Sequence, residues 1–290
     1  MEPTPAPHPH PSPHHIEEKG KLRRYSGIFA GAFVRTMAVV IGLSIALVGV
    51  GLVSEWGQKA SCNVAVRTMH GELFTSYTGG GTDSGALVRQ LAKDEDDPAI
   101  KAVILDIDSP GGVPVSGEEI AEELTRMQKP TIAIIRSLGA SAAYWAATGA
   151  DRIYASPSSD IGSIGVAVSF PDESEKNQKD GVVFNEFASG KFKNLGSPNH
   201  AVTPDEEAIL KRDIDLVYKE FIDTVAHARN LSVDKVKALA DGSTVTGRSA
   251  KEAGLIDEIG GYTEAKEYLK TVMKEKPVFC EPDAGEIFSY

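Results

Sequence analysis

Ser141 stands in Arg136-Ser137-Leu138-Gly139-Ala140-Ser141-Ala142-Ala143-Tyr144, directly after the apolar run Thr131–Ile135. Gly139 and Ala140 permit a sharp turn, and Ala142 and Ala143 permit close packing of a following helix. A serine at the start of that helix lies beside unpaired backbone N–H groups and the positive end of a helix dipole, which favour developing negative charge. That setting suits a nucleophile; it also suits an N-cap serine whose hydroxyl merely closes the helix. A second segment, Asp108-Ser109-Pro110-Gly111-Gly112, follows the apolar run Ile100–Ile107. A Pro-Gly-Gly turn at the carboxyl end of a parallel strand aims backbone N–H groups into the crevice where α/β proteins bind ligands, and two such donors can hold an oxyanion. The same five residues also make an ordinary strand-to-helix turn.

A serine nucleophile needs a base. His70, His200 and His227 are the histidines beyond the N-terminal tail, and nothing around them signals a triad. A lysine can serve if burial lowers its amine by about 2–3 units from about 10.4. Lys191 and Lys193 are flanked by Phe184, Phe187 and Phe192, an apolar setting of that kind. On an extended chain both lysines point to one face, so spacing leaves the choice open. His8, His10, His14 and His15 fall in a Pro-rich tail without preorganised geometry, which suits weak metal binding at most. No metal site is expected. Cys62 and Cys280 are too few for a disulfide framework or a cysteine-rich zinc site, and the sequence leaves open whether they pair.

Positioning these groups falls to alternating strands and helices. Asn63–Met69, Ile100–Ile107 and Thr131–Ile135 read as buried strands. Ser84–Leu91 reads as a helix, and Ser116 with Glu119 forms a capping box ahead of Ile120, Leu124 and Met127. A longer helix follows Thr203-Pro204-Asp205-Glu206, with an apolar stripe at Leu210, Ile214, Val217, Phe221 and Val225. Strands alternating with helices imply an α/β fold with parallel pairing.

The chain of 290 residues is long enough for a sizeable core, and 41% hydrophobic content argues against disorder. Its net charge of −11 without a basic run is a poor fit to nucleic acid. The charge is uneven. Lys19, Lys21, Arg23, Arg24 and Arg35 outnumber Glu2, Glu17 and Glu18, nothing ionisable falls between Thr36 and Ser54, and the rest is acidic. Thr36–Ser54 is long enough to cross a membrane, and the basic cluster before it keeps the N-terminus cytoplasmic. The Ser54-Glu55-Trp56-Gly57 exit does not read as a signal cleavage site. The expected organisation is therefore a disordered Pro/His-rich and basic cytoplasmic tail (1–35), a single transmembrane anchor (36–54) and one extracytoplasmic domain (55–290).

Asp108–Gly112, then Gly139-Ala140-Ser141-Ala142-Ala143-Tyr144, then Gly162-Ser163-Ile164-Gly165, then Ser189-Gly190-Lys191-Phe192-Lys193 with Ser197-Pro198, resemble in order and spacing the signal peptide peptidase A family. The likeness is to its short, single-domain bacterial form, a membrane-anchored Ser-Lys serine protease, and covers about residues 62–265. Gly254-Leu255-Ile256-Asp257 and Gly260-Gly261 also resemble its C-terminal pattern. The resemblance implies a Clp protease- and crotonase-like core of parallel strands and helices preceded by one N-terminal transmembrane helix. It implies Ser141 as nucleophile, Lys193 as general base and Ser163 as the residue orienting that lysine. It places the oxyanion hole at the N–H groups of Gly111, Gly112 and Ala142. Ala142-Ala143 departs from relatives that often carry glycines, and the added methyls bear on substrate preference. The resemblance also implies no cofactor, signal peptides and similar apolar, membrane-derived peptides as substrates, and location in the bacterial inner membrane. Its short members form homo-oligomeric rings in which serine and lysine come from neighbouring protomers. Two rival readings are a crotonase-like acyl-CoA enzyme and a catalytically inactive membrane scaffold on the same fold. The apolar segment and the Ser-Lys pair oppose the first; intact Ser141, Ser163 and Lys193 oppose the second.

Overall fold

The β-branched runs become the centre of a sheet whose two faces are both covered, which is why they read as continuous rather than alternating apolar segments. The computed structural model describes residues 62–76 and 79–280. The expected tail and transmembrane anchor lie outside the described residues; among those described, no helix is long and apolar enough to cross a membrane. The strands are β1 (Val64–Phe74), β2 (Thr82–Asp83), β3 (Ala102–Gly112), β4 (Thr131–Ala140), β5 (Arg152–Ala155), β6 (Asp160–Gly162), β7 (Thr244–Thr246) and β8 (Glu258–Ile259). The helices are α1 (Ser84–Asp96), α2 (Pro114–Arg126), α3 (Ala142–Ala147), α4 (Ser174–Lys179), α5 (Pro204–Ala228), α6 (Val233–Lys237), α7 (Gly247–Ala253) and α8 (Tyr262–Met273). The sheet runs β2-β1-β3-β4-β5-β8, with β6 beside the end of β4 and β7 beside β6. All pairs are parallel except β6–β7. This is the mostly parallel α/β core expected from the sequence.

On one face Val103, Leu105 and Ile107 pack with buried residues of α1, α2, α3 and α5; on the other Ala102 and Ile104 pack with Ala265 and Leu269 of α8. The central strands run past their expected ends. The segments read as turns at 108–112 and 136–140 continue as strand, with register shifts between His70 and Glu72 and between Ile107 and Ser109. Bulges rather than turns therefore present the functional residues.

Helix α2 begins two residues before the expected cap. Val113 is its N-cap and Pro114 opens it, because the fixed φ of proline is already helical. Ser116 makes no capping bond; its buried Oγ has no hydrogen-bond partner, and Glu119 instead accepts from the Ser84 hydroxyl. Helix α5 has the expected capping box: Thr203 N–H donates to Glu206 Oε2 at 2.9 Å and Glu206 N–H to Thr203 Oγ1 at 3.3 Å. Of its stripe, Phe221 and Val225 are buried, and Leu210, Ile214 and Val217 are half-buried.

Cys62 and Cys280 form a disulfide across a sequence separation of 218. The Cys280 N–H donates to Val64 O at 2.8 Å beside it, so the end of the described chain is laid along the start of β1. Closing so long a loop stabilises a fold by about 2–5 kcal/mol. Gly254, at φ 88°, ends α7 in the left-handed conformation. The following Leu255 carbonyl accepts from Tyr144 Oη at 2.7 Å, pinning α3, and Asp257 pairs with Arg229 at 2.9 Å and 3.0 Å.

Candidate active site

Ser141 is the single residue between β4 and α3. It has φ 54° and ψ −127°, a region that a residue with a Cβ enters at a cost of about 1–3 kcal/mol unless its surroundings impose it. Several contacts do. Ser141 N–H donates to Gly162 O at 2.7 Å, and Trp145 N–H to Ser141 O at 3.0 Å. Trp145 stacks on Phe221 with ring centroids 4.4 Å apart, fixing α3 against α5. Ser141 does occupy the N-cap position of α3, as the N-cap reading expects, but its side chain makes no capping bond, so the hydroxyl does not close the helix. Its hydroxyl sits half-buried at a strained strand-to-helix turn.

The glycine segment lies against it. Gly111 has φ 94°, and a Cβ there would come within 2.8 Å of both Ser141 Cβ and Ala142 N. A Cβ on Gly112 would come within 2.1 Å of Leu73 O. Only glycine permits so close an approach. Gly111 N–H donates to Ser109 Oγ at 3.1 Å. Asp108 holds the β4 bulge by accepting from Leu138 N–H at 3.1 Å, and the Ser159 hydroxyl donates to Arg136 O on the other side.

Ser141, Ala142, Gly112 and Ser163 line one cleft of about 660 Å³. Ser163 follows β6 at φ 49° and donates its Oγ–H to Gly242 O at 2.9 Å. The cleft wall is completed by Trp145, Val166, Ile214, Tyr218 and Phe221, with Asp215 and Asp241 also lining it. Ile214 and Phe221 belong to the α5 stripe; periodicity marks an apolar face but does not separate core from cleft wall. The Gly242 carbonyl and Tyr218 carried no signal in the sequence.

Lys193 is not among the cleft-lining residues. Residues 189–196 form turns instead of the extended segment on which the two lysines would share a face. Gly190 at φ 96° and Gly196 at φ 81° break the extension. Lys193 is exposed, and its ammonium has no hydrogen-bond or ion-pair partner among the described residues. Lys191 differs: it pairs with Asp205 and stands 5.2 Å from the Phe192 ring centroid. His70, His200 and His227 all lie away from the cleft lining.

His70 belongs to a polar cluster at the other face of the sheet. Buried Asp106 accepts at Oδ2 from Tyr262 Oη at 2.6 Å and from Arg136 Nη1 at 3.1 Å. Its Oδ1 faces His70 Nε2 at 3.6 Å, beyond hydrogen-bond reach, and has no hydrogen-bond partner. The adjacent Asp106 carboxylate holds His70 above the usual imidazole range, outweighing partial burial; Asp108 adds to this and Arg136 opposes it. Burial pushes Asp106 up, but His70, Tyr262 and Arg136 together outweigh it and hold the carboxyl low. The His70 contribution is complete below its unfolded value of about 6.5 and is lost as pH rises through the higher folded value. The Asp106 contribution is present above its unfolded value of about 3.9 and is lost as pH falls through the lower folded one. His70→Asn should therefore lower the urea midpoint more near pH 5.5 than near pH 8. An equal loss at both would show that the imidazolium contributes nothing.

A strained serine between a parallel strand and a short helix, backed by a glycine bulge and lining a cleft of mixed apolar and polar walls, defines a candidate nucleophile site on an α/β core. The model of peptidase family S49 matches residues 123–276. The chain is 36% identical over 190 residues to an Enterococcus faecium protein assigned as a signal peptide peptidase SppA, covering 64% of this chain and 54% of that one. It is 34% identical over 201 residues to a Synechocystis protein assigned as a protease, covering 69% and 73%. It is 32% identical over 220 residues to Protease 4 of Haemophilus influenzae, covering 75% and 35%. The chain thus spans little more than half of the Enterococcus protein and about a third of Protease 4. It belongs to peptidase family S49.

Proposed function

We propose that this protein is a membrane-anchored serine endopeptidase that uses a Ser141–Lys193 dyad to cleave leftover signal peptides and similar apolar peptides. The observation that carries this is Ser141 itself, held at positive φ with its hydroxyl free of capping duty in a cleft walled in part by Trp145, Val166, Ile214 and Phe221. In the proposed reaction Ser141 Oγ attacks the scissile carbonyl carbon while the neutral Lys193 amine takes its proton. The resulting ammonium returns that proton to the leaving amine as the C–N bond breaks, and a water activated by the same amine then hydrolyses the acyl-enzyme. The oxyanion needs two donors. Val113 N–H donates back to Leu73 O at 3.0 Å, so strand alternation turns the Gly112 N–H away from β1, to the side on which β4 lies. Ala142 opens α3, where the first N–H groups have no intrahelical acceptor. With Gly111 N–H already committed to Ser109, Gly112 and Ala142 supply the pair.

A lysine acts as base only when its charged form is disfavoured, and Lys193 is exposed in a single copy. A second copy covering the segment supplies the burial. The segment is built for cover: Phe187 is 95% exposed and Val183 79% exposed, with Val168, Val182 and Phe184 also outward. This supports a homo-oligomeric ring in which Lys193 of one protomer serves Ser141 of the next. In this reading Ser163, half-buried in the cleft that Ser141 also lines, orients the arriving amine by accepting from it, its own proton being donated to Gly242 O. The Cys62–Cys280 disulfide supports an oxidising, extracytoplasmic setting for the domain, and Thr36–Ser54 supplies the anchor, in the bacterial inner membrane with the N-terminus inside.

The test is turnover by the full-length protein of an unstructured apolar peptide and of a polar peptide of equal length. Cleavage of the apolar peptide, abolished by a serine-acylating reagent, is expected. Turnover of an acyl-CoA thioester with neither peptide cut would favour the crotonase-like alternative, and binding without turnover the scaffold.

A further inference from the structure

Ser109 belongs to the Asp108–Gly112 motif, two residues before the Gly111 that lies against Ser141. It is completely buried, and its hydroxyl is spoken for on both sides: Oγ–H donates to Gly71 O at 2.6 Å, and Oγ accepts from Gly111 N–H at 3.1 Å. The backbone explains why a hydroxyl is needed. Between His70–Asp108 and Glu72–Gly111 the β1–β3 register slips, so Gly71 alone opposes Ser109 and Pro110. Gly71 faces this β3 bulge at φ 68°, and Pro110 has no N–H to offer its carbonyl. Gly111 is buried whereas Gly71 is exposed, so the larger cost would fall on the Gly111 N–H: a buried N–H without an acceptor costs about 1–3 kcal/mol. One hydroxyl gives that N–H its acceptor and the Gly71 carbonyl a donor.

The direction of the bridge is fixed. Gly111 N–H can only donate and Gly71 C=O can only accept, so the hydroxyl proton points at Gly71 and the two bonds polarise each other. The bridge therefore sets the orientation of the Pro110–Gly111 peptide. That peptide leads directly into Gly111, whose positive φ turns the next peptide, and the next peptide carries the Gly112 N–H. We infer that Ser109 is a positioning residue of the reaction: its buried hydroxyl latches the bulge to β1, holds Gly111 N–H out of the oxyanion hole and aims Gly112 N–H into it. The inference rests on the peptidase reading above.

The test compares wild type with Ser109→Ala and with the near-isosteric Ser109→Cys, whose thiol is a weak donor, all in the full-length protein. Three quantities are measured: kcat and KM on an apolar peptide, affinity for a peptide boronate that forms a tetrahedral adduct, and affinity for the same peptide sequence made uncleavable. Loss of the latch should lower kcat by about 10- to 100-fold with KM nearly unchanged, since small misplacements of a donor act on the transition state. Boronate affinity should fall by a similar factor while affinity for the uncleavable peptide holds, and Ser109→Cys should fall between the other two. If Ser109→Ala does not fold, Ser109→Cys carries the same comparison. A folded variant with wild-type kcat and boronate affinity, or one that loses both ligands equally, overturns the inference. A wild-type protein that neither cleaves the peptide nor binds the boronate overturns the peptidase reading instead.

Discussion

Ser141→Ala should reduce kcat/KM on an apolar peptide by at least about 10⁴-fold while leaving the fold and peptide binding in place. The cleft wall of Trp145, Val166, Ile214, Tyr218 and Phe221 owes nothing to the Ser141 hydroxyl, so ground-state affinity should survive. Stability should change little. The backbone at this position is held by Gly162 O, by Trp145 N–H and by close packing of Gly111, and the hydroxyl caps nothing. Rates from a quenched fluorescent peptide, read beside a urea unfolding curve, check both halves. Turnover within tenfold of wild type would remove Ser141 from the chemistry.

Lys193→Ala should lose about 10²–10⁴-fold, the range for removal of a general base, and Lys193→Arg should not restore it because a guanidinium stays protonated. Lys191→Ala should stay within a few-fold of wild type, since that ammonium is already paired with Asp205 beside Phe192. The reverse pattern would assign the base to Lys191. The oligomer makes a second demand. If Ser141 and Lys193 of different copies meet, dissociating and reassembling an equimolar mixture of Ser141→Ala and Lys193→Ala should recover up to about a quarter of wild-type activity, because about one junction in four pairs two intact partners. Zero recovery from a verified mixed oligomer would place both residues in one chain.

The parts of the fold that were legible in the sequence are those where one physical rule acts alone. Runs such as Val103–Ile107 and Thr131–Ile135 are apolar on both faces because both faces of the sheet are covered, and the Thr203–Glu206 box announces the start of α5 by local hydrogen bonds. Where rules compete, local composition and the final structure part. Asp108–Gly112 has turn composition, yet it remains in the sheet because the Ser109 hydroxyl replaces a ladder bond that Pro110 cannot make. Ser116 and Glu119 have cap spacing, yet Pro114 starts the helix first. The site was legible in part: Ser141, Ser163, Gly112 and Ala142 do share a cleft. The positive φ of Ser141 is a tertiary property that no residue type signals. The choice of Lys193 rests on resemblance, and the apolar setting expected from Phe184, Phe187 and Phe192 does not bury it: among the described residues Lys193 is exposed. Pairing of Cys62 with Cys280 depends on β1 and the chain beyond α8 lying side by side, which spacing does not encode.

Covalent trapping tests the central claim most directly. The full-length protein is treated with an apolar peptide that acylates serine nucleophiles and then digested and read by mass spectrometry. A single adduct on Ser141 is predicted, formed far more slowly in Lys193→Ala and absent in Ser141→Ala. An adduct on another serine, or labelling of Ser141 at the same rate with Lys193 removed, would contradict it.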